Sequence, residues 1–275
     1  MTYDVIVIGG GPAGLSGAVA LGRALRSVLV IDSGEPRNAP ADGIHNFLTR
    51  DGMTPAQFRA AGRAEASSYG VRFVDGRVVD ARPGFTVTLA GGDSYQADRL
   101  LVTTGLVDRL PDIPGLAERW GSTVLHCPYC HGYEVRGKAI GVIGSDRAAE
   151  QVRLWRQWSS DVLLLPLDEI DGVEPGGVRM KDGSLVSRDY LVVAPRMAAR
   201  ADFLDGLGLA SQEHPAGIGT YVPAVDPSGR TAVPGVWVAG NVADPMAQVI
   251  SSAAAGLTAG AMINVDLLPP APDTH

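Results

Sequence analysis

The sequence predicts an α/β fold built from two strand–turn–helix–strand units, and three observations carry that prediction. Tyr3–Ile8 is a continuous apolar run closed by a glycine-rich turn, as a strand buried on both faces requires. The same order returns at Ala139–Ile143, where a glycine leads into the helical stretch Ala148–Trp158. A further strand, Val236–Ala239, and a turn at Gly240 precede a small-residue helix running from Gln248 to Leu267. With 275 residues, 45% of them hydrophobic, the chain can bury one or two sizeable cores.

The elements follow in order. After the turn Gly9–Gly14, Leu15–Leu25 alternates small and apolar residues as a packed helix does, and Val28–Ile31 is the second strand. A loop with Gly34, Pro36, Pro40 and Gly43 interrupts regular structure. Pro55–Tyr69 reads as a helix with alanines on one side and arginines on the other. Val71–Val79, Thr86–Leu89 and Leu100–Thr103 read as strands, so a first domain closes near Leu106. The proline-rich stretch Leu110–Gly115 suits a linker. Beyond it, Val162–Leu165, a hairpin around Lys181-Asp182-Gly183 and the strand Tyr190–Ala194 complete a second domain. The tail Pro269–His275 is expected to lack fixed structure.

Composition narrows the function classes. A net charge of -7 without any lysine or arginine block makes nucleic acid an unexpected partner. No basic-plus-apolar leader precedes Val5, and no apolar run reaches the ~18 residues of a membrane span, so a soluble, cytoplasmic protein is expected. The two cysteines, Cys127 and Cys130, are too close for a stapling disulfide to constrain much chain. In a reducing compartment such a pair is catalytic, redox-sensing or metal-binding.

Two motifs carry chemistry. Gly9-x-Gly11-Pro12-Ala13-Gly14 lies between a strand and a helix, and Asp32 ends the next strand. The first glycine makes the tight turn, the second lets backbone approach a pyrophosphate, and the third allows close helix–strand packing. The helix N-terminus binds the phosphates and Asp32 a ribose hydroxyl. This spacing does not distinguish NAD from FAD. The second motif is His126-Cys127-Pro128-Tyr129-Cys130-His131-Gly132, whose cysteines can form a reversible disulfide beside histidines that favour the thiolate. Four such closely spaced residues wrap a tetrahedral zinc ion poorly, so redox chemistry is the stronger reading and no metal is expected.

A second nucleotide loop would fall at Ile143-Gly144-Ser145-Asp146-Arg147-Ala148-Ala149, where only the first glycine remains. Asp146 puts bulk and negative charge where a pyrophosphate must approach, and Asp168, Glu169 and Asp171 follow the next strand. This site reads as lost. Trp155 and Trp158, at helical spacing, are expected in a core or interface.

Val7–Leu15, Leu101–Gly105 and Val233–Asn241 together resemble the low-molecular-weight thioredoxin reductase family over nearly the whole chain. The resemblance implies a Rossmann-like FAD-binding domain of three layers (ββα), residues 1–111 and 232–275, interrupted by a smaller, degenerate nicotinamide-type α/β domain, 112–231, that carries the cysteines. It implies FAD contacts from Gly9, Gly11, Pro12, Ala13, Gly14, Asp32, Asn46, Gly105, Gly240 and Gln248. Asn241 stands where the family usually has aspartate. It further implies that Cys130 faces the flavin, that Cys127 exchanges with substrate, and that the chain is a homodimer.

His131 occupies the position of the family's acid–base aspartate. The bracketing histidines resemble instead the dithiol oxidases of disulfide-containing natural products, of the gliotoxin and holomycin oxidase type. That resemblance implies a small-molecule dithiol substrate, and with the second nucleotide site lost, molecular oxygen is the simplest electron acceptor. A histidine can deprotonate a thiol near neutral pH, which casts His131 as the base with His126 as its rival. The alternatives are a reductase of a thioredoxin-like protein fed by NADPH, ferredoxin or another donor, a flavin-binding redox sensor without turnover, and a metal-binding module.

Overall fold

The computed structural model describes residues 2–144 and 148–269, which cluster into two compact units. One comprises Met1–Arg37, Ala56–Val107 and Met197–His275; the other comprises Asn38–Pro55 and Asp108–Arg196. Residues 38–55, 108–111 and 197–231 thus fall in the opposite unit from the one the resemblance implied.

In the first unit β1 (Thr2–Ile8), α1 (Pro12–Arg23) and β2 (Val28–Asp32) form the expected βαβ arrangement. After α2 (Pro55–Ser68), the apolar stretch read as one strand over 71–79 is two: β3 (Arg72–Asp75), parallel to β2, and β4 (Val78–Arg82), antiparallel to β5 (Thr86–Leu89). Because the halves pair with different partners, the chain turns at Gly76. β6 (Ser94–Val102) starts earlier than its apolar residues suggest, since its polar first half pairs antiparallel with β5. Its second half lies parallel to β1 on one side and to Val236–Val238 on the other.

Both faces of this sheet are covered. Val5, Val7, Val28 and Val30 pack with Leu21 of α1 and with Ala259 and Ile263 of the C-terminal helix, Val249–Asp266. Ile6, Ile8, Leu29 and Ile31 pack on the opposite side with Val78, Ala81 and Val87 of the antiparallel strands. Helices, parallel sheet and antiparallel strands are the three layers. Phe203, Leu204, Leu209 and Val222 join the core on the antiparallel side, which is why 197–231 belongs here.

The C-terminal helix approaches α1 through Ser252, Gly256, Ala259 and Gly260; a Cβ on Gly256 would lie 1.9 Å from the Ala13 carbonyl oxygen. At 18 residues and mean hydropathy 1.2 it reaches the length and composition of a membrane span. That corrects the expectation that no segment does.

The second unit repeats the three-layer plan on a smaller scale. Its parallel sheet has the order Val162–Pro166, Ile140–Gly144, Tyr190–Val193, Val124–Leu125. Ile140 and Val142 face Val152 and Trp155, while Ile143 and Leu165 face Val173 and Val178 of an antiparallel sheet, Ile170–Glu174, Gly177–Met180 and Leu185–Ser187. The hairpin around Lys181–Gly183 joins the last two strands. The helix predicted over 148–158 is shorter, Ala149–Trp155, and ends in a turn where the Trp158 N–H donates to the Trp155 carbonyl at 3.0 Å. Ser145, Asp146 and Arg147, on which the reading of the second nucleotide loop rests, lie outside the described residues, as does the tail 270–275.

Candidate functional site

The glycine motif is built by β1 running straight into α1. Gly9 has φ +109, a conformation side chains disfavour, and its N–H donates to the Ile31 carbonyl at 2.8 Å. A Cβ on Gly14 would sit 1.9 Å from the Gly9 carbonyl oxygen, so only glycine lets helix meet turn here. The buried Thr103 hydroxyl donates toward the carbonyls of Ile8 and Gly9, at 3.0 and 2.8 Å. Around this rigid loop the space above Gly11 is open, with no atom within 4 Å of a Cβ built there. Gly11 is the N-cap of α1, no side chain caps it, and Pro12 opens the helix with Ala13 buried behind it. An uncapped, open helix N-terminus fits a pyrophosphate.

Asp32, at the end of β2, receives the Gly10 N–H on Oδ1 at 3.1 Å and Arg59 on Oδ2 at 2.6 Å. The carboxylate is thereby aimed with lone pairs left for ribose hydroxyls. Arg59 was not singled out from sequence; its only signal was the arginine side of α2. Gly105 follows β6 with its carbonyl accepting the Arg200 N–H at 3.0 Å, and Gly240 begins a short 3-10 turn. The Asn241 amide donates to the carbonyls of Asp244, Pro245 and Ala247 at 3.1, 3.3 and 2.8 Å. An aspartate could make none of these bonds, so the asparagine holds the 244–247 loop. Gln248 is the N-cap of the C-terminal helix, its carbonyl accepting the Ser252 N–H. All of these residues lie in the first unit, and they fit FAD: loop, carboxylate and helix end are each in place.

The cysteine motif lies in the second unit. Val124–Leu125 ends at His126, and Pro128–His131 makes one helical turn with Cys127 as its N-cap. Both cysteines are half-buried, and the Cys130 N–H donates to the Cys127 carbonyl at 3.2 Å. Among the described residues no three His, Cys, Asp or Glu side chains gather into a metal-binding set. Behind the turn, Trp158 packs edge-on to Tyr129 at 5.9 Å and lies where a Cβ on Gly132 would be 2.6 Å from its ring. Trp155 is fully buried in the core as expected, whereas Trp158 backs the cysteine turn.

The two histidines differ. His126 directs Nδ1 to the Val193 carbonyl at 3.2 Å; a carbonyl only accepts, so Nδ1 carries the proton. His131 is half-buried. That burial holds its imidazole below the ordinary value of 6.5, partly opposed by the negative charges of Glu134 and Asp42 and assisted by His45. A neutral imidazole beside Cys130 at neutral pH is the species that can accept a thiol proton.

Asn46, expected beside the flavin, has φ +59 and donates its amide to the Tyr129 carbonyl at 2.5 Å, fastening the 38–55 segment to the residue between the cysteines. The same segment brings His45 to Glu134, with Nε2 3.6 Å from Oε1, and to Asp51, with Nδ1 3.0 Å from Oδ1. Neither His45 nor Glu134 was singled out from sequence. The long separation of residue 45 from residue 134 hides their proximity.

Residues 3–165 match the pattern of the pyridine nucleotide-disulphide oxidoreductase family. The thioredoxin reductase sirT of Leptosphaeria maculans is 30% identical over 97% of this chain and 94% of its own length. Among solved structures, HlmI superposes with TM-score 0.89 and 42% identity, covering 97% of this chain and 92% of that one. The oxidoreductase from Agrobacterium tumefaciens does so with TM-score 0.91 and 34% identity over 98% and 100%. The open glycine cradle in one unit, the dithiol in the other and these matches have one reading: the chain belongs to the pyridine nucleotide-disulphide oxidoreductase family, as a thioredoxin reductase-like, FAD-dependent disulfide oxidoreductase.

Proposed function

We propose that this enzyme is a dithiol oxidase, closing a disulfide in a small-molecule substrate and passing the electrons to molecular oxygen. The observation that carries the reading is His131: a histidine kept neutral by burial next to Cys130, where a reductase of this family has an aspartate. In the oxidised enzyme Cys127 and Cys130 share a disulfide. His131 takes the proton from one substrate thiol, and the thiolate attacks the Cys127 sulfur, so that Cys130 leaves as thiolate. The second substrate thiol, once deprotonated, attacks the substrate sulfur bound to Cys127 and releases that cysteine. FAD, when bound, would supply the two-electron acceptor for the Cys127–Cys130 dithiol and, once reduced by it, the two-electron donor to oxygen, giving hydrogen peroxide. Gly9, Gly11, Gly14, Asp32, Gly105, Gly240 and Gln248 hold the cofactor in this reading, with Arg59 fixing Asp32; Asn46 positions the cysteine turn.

The described flanks of the second nucleotide loop support loss of NADPH binding. Val162–Pro166 ends in a 3-10 turn with exposed Asp168 and Glu169, which repel a 2′-phosphate. Relatives named thioredoxin reductase favour a second reading, reduction of a protein disulfide by another donor. Peroxide production that scales with dithiothreitol and vanishes in Cys127→Ser and Cys130→Ser supports the oxidase; a preparation that bleaches with NADPH and yields no peroxide from dithiols overturns it.

The chain works as a cytoplasmic homodimer in this reading. Ile250, Ala254, Leu257, Ala261 and Val265 form one exposed stripe of the C-terminal helix, beside a groove of roughly 510 Å³ shared with Val19 and Ala20 of α1. A second copy covers it.

A further inference from the structure

We propose that Arg59 is a positioning residue for the cofactor: it locks the Asp32 carboxylate in the orientation that reads the two hydroxyls of the adenosine ribose. The inference deepens the cofactor reading and rests on Asp32 as the ribose contact. An aspartate carboxylate left to itself turns about its last torsion with little resistance. Such a group meets two adjacent hydroxyls only part of the time.

The fold removes that freedom at three points. Gly10 is the seat: a Cβ there would lie 2.8 Å from Asp32 Cγ and Oδ2, so the carboxylate rests on bare backbone. The Gly10 N–H holds Oδ1 at 3.1 Å, and the Arg59 guanidinium donates to Oδ2 at 2.6 Å. Each oxygen keeps a lone pair, which is what two neighbouring hydroxyl donors require. Asp32 and Asp75 are partners across the parallel strands β2 and β3, and like charges so placed repel. Arg59 and Arg63, one turn apart on α2, meet them in register. The two pairs differ in setting. Arg63 and Asp75 are 41% and 76% exposed, a surface pair of little energetic weight, whereas Arg59 and Asp32 are enclosed at 26% and 15%, beside the open glycine loop. Gly62, three residues after Arg59, sets how closely α2 approaches: a Cβ there would press to 2.9 Å on Leu15 of α1. A lysine could supply the charge without the planar fork, so the aiming requires arginine.

The full chain, stripped of flavin, is titrated with ADP and with 2′,3′-dideoxy-ADP in competition with FAD, read by flavin fluorescence, in wild type, Arg59→Met and Arg59→Lys. The two nucleotides carry the same base and diphosphate, so a change in fold or in charge at the site moves both alike. Wild type is expected to prefer ADP about 10-fold, Arg59→Met to lose most of that preference, and Arg59→Lys to keep part of it. Equal losses of affinity for both nucleotides in Arg59→Met, leaving the preference intact, overturn the positioning role. Should Arg59→Met fail to fold, Arg59→Lys decides: a full wild-type preference there overturns it too. A wild-type chain that binds the two nucleotides equally refutes Asp32 as the ribose contact, and the role of Arg59 falls with it. Discrimination by wild type and Arg59→Met alike refutes the role of Arg59 alone.

Discussion

In the proposed oxidase the chemistry of the cysteine site turns on the protonation of His131. Burial favours neutral His131, so the rate of flavin bleaching by a dithiol is expected to rise with pH through a midpoint below 6.5 and to level off near neutrality. Glu134→Gln removes a charge that raises the midpoint and shifts the acid limb to lower pH; a limb that stays in place contradicts the assignment. His131→Asn should slow bleaching by roughly 10²-fold or more at pH 7, while His126→Asn, whose Nδ1 proton is bound to the Val193 carbonyl, should cost far less. The same depression has a stability consequence. Because the unfolded chain binds the His131 proton more readily, the fold loses stability as pH falls from 6.5 through the lowered native value.

At the scale of elements, close approaches decide what each turn tolerates. Gly132→Ala would place a Cβ 2.5 Å from the Pro128 carbonyl and 2.6 Å from the Trp158 ring, so the cysteine turn must shift, at about 1–3 kcal/mol in thermal unfolding. Asn241→Asp sets a carboxylate against three carbonyl oxygens and is expected to cost about 1–3 kcal/mol, with protease sensitivity rising at 244–247. The strands of the parallel sheets could be read from sequence because both of their faces are buried, which leaves uninterrupted apolar runs such as Val5–Ile8. The split at Gly76 could not, since it depends on β3 and β4 pairing with different partners. The glycine loop and the cysteine pair announce themselves by local spacing. Arg59, His45 and Glu134 do not: each acquires its role by meeting a residue distant in the chain, Asp32 for the first and each other for the second.

For the whole molecule, the two units share one plan, a parallel sheet with helix on one face and antiparallel strands on the other, and divide the chemistry between them. One presents an open glycine cradle with an aimed carboxylate, the other the cysteine turn with His131 directly after it in the chain. The exposed apolar stripe of the C-terminal helix adds a testable consequence: Leu257→Glu with Val265→Glu should convert a dimer to monomers in sedimentation velocity, and a wild-type chain that sediments as a monomer contradicts the proposed assembly. The direction of electron flow is the central claim. Rapid anaerobic mixing of the FAD-loaded enzyme with a small dithiol on one side and with NADPH on the other tests it most directly. Bleaching by the dithiol, with recovery of the yellow flavin and formation of peroxide when oxygen is admitted, is the expected result. Rapid bleaching by NADPH with no response to dithiols would contradict it.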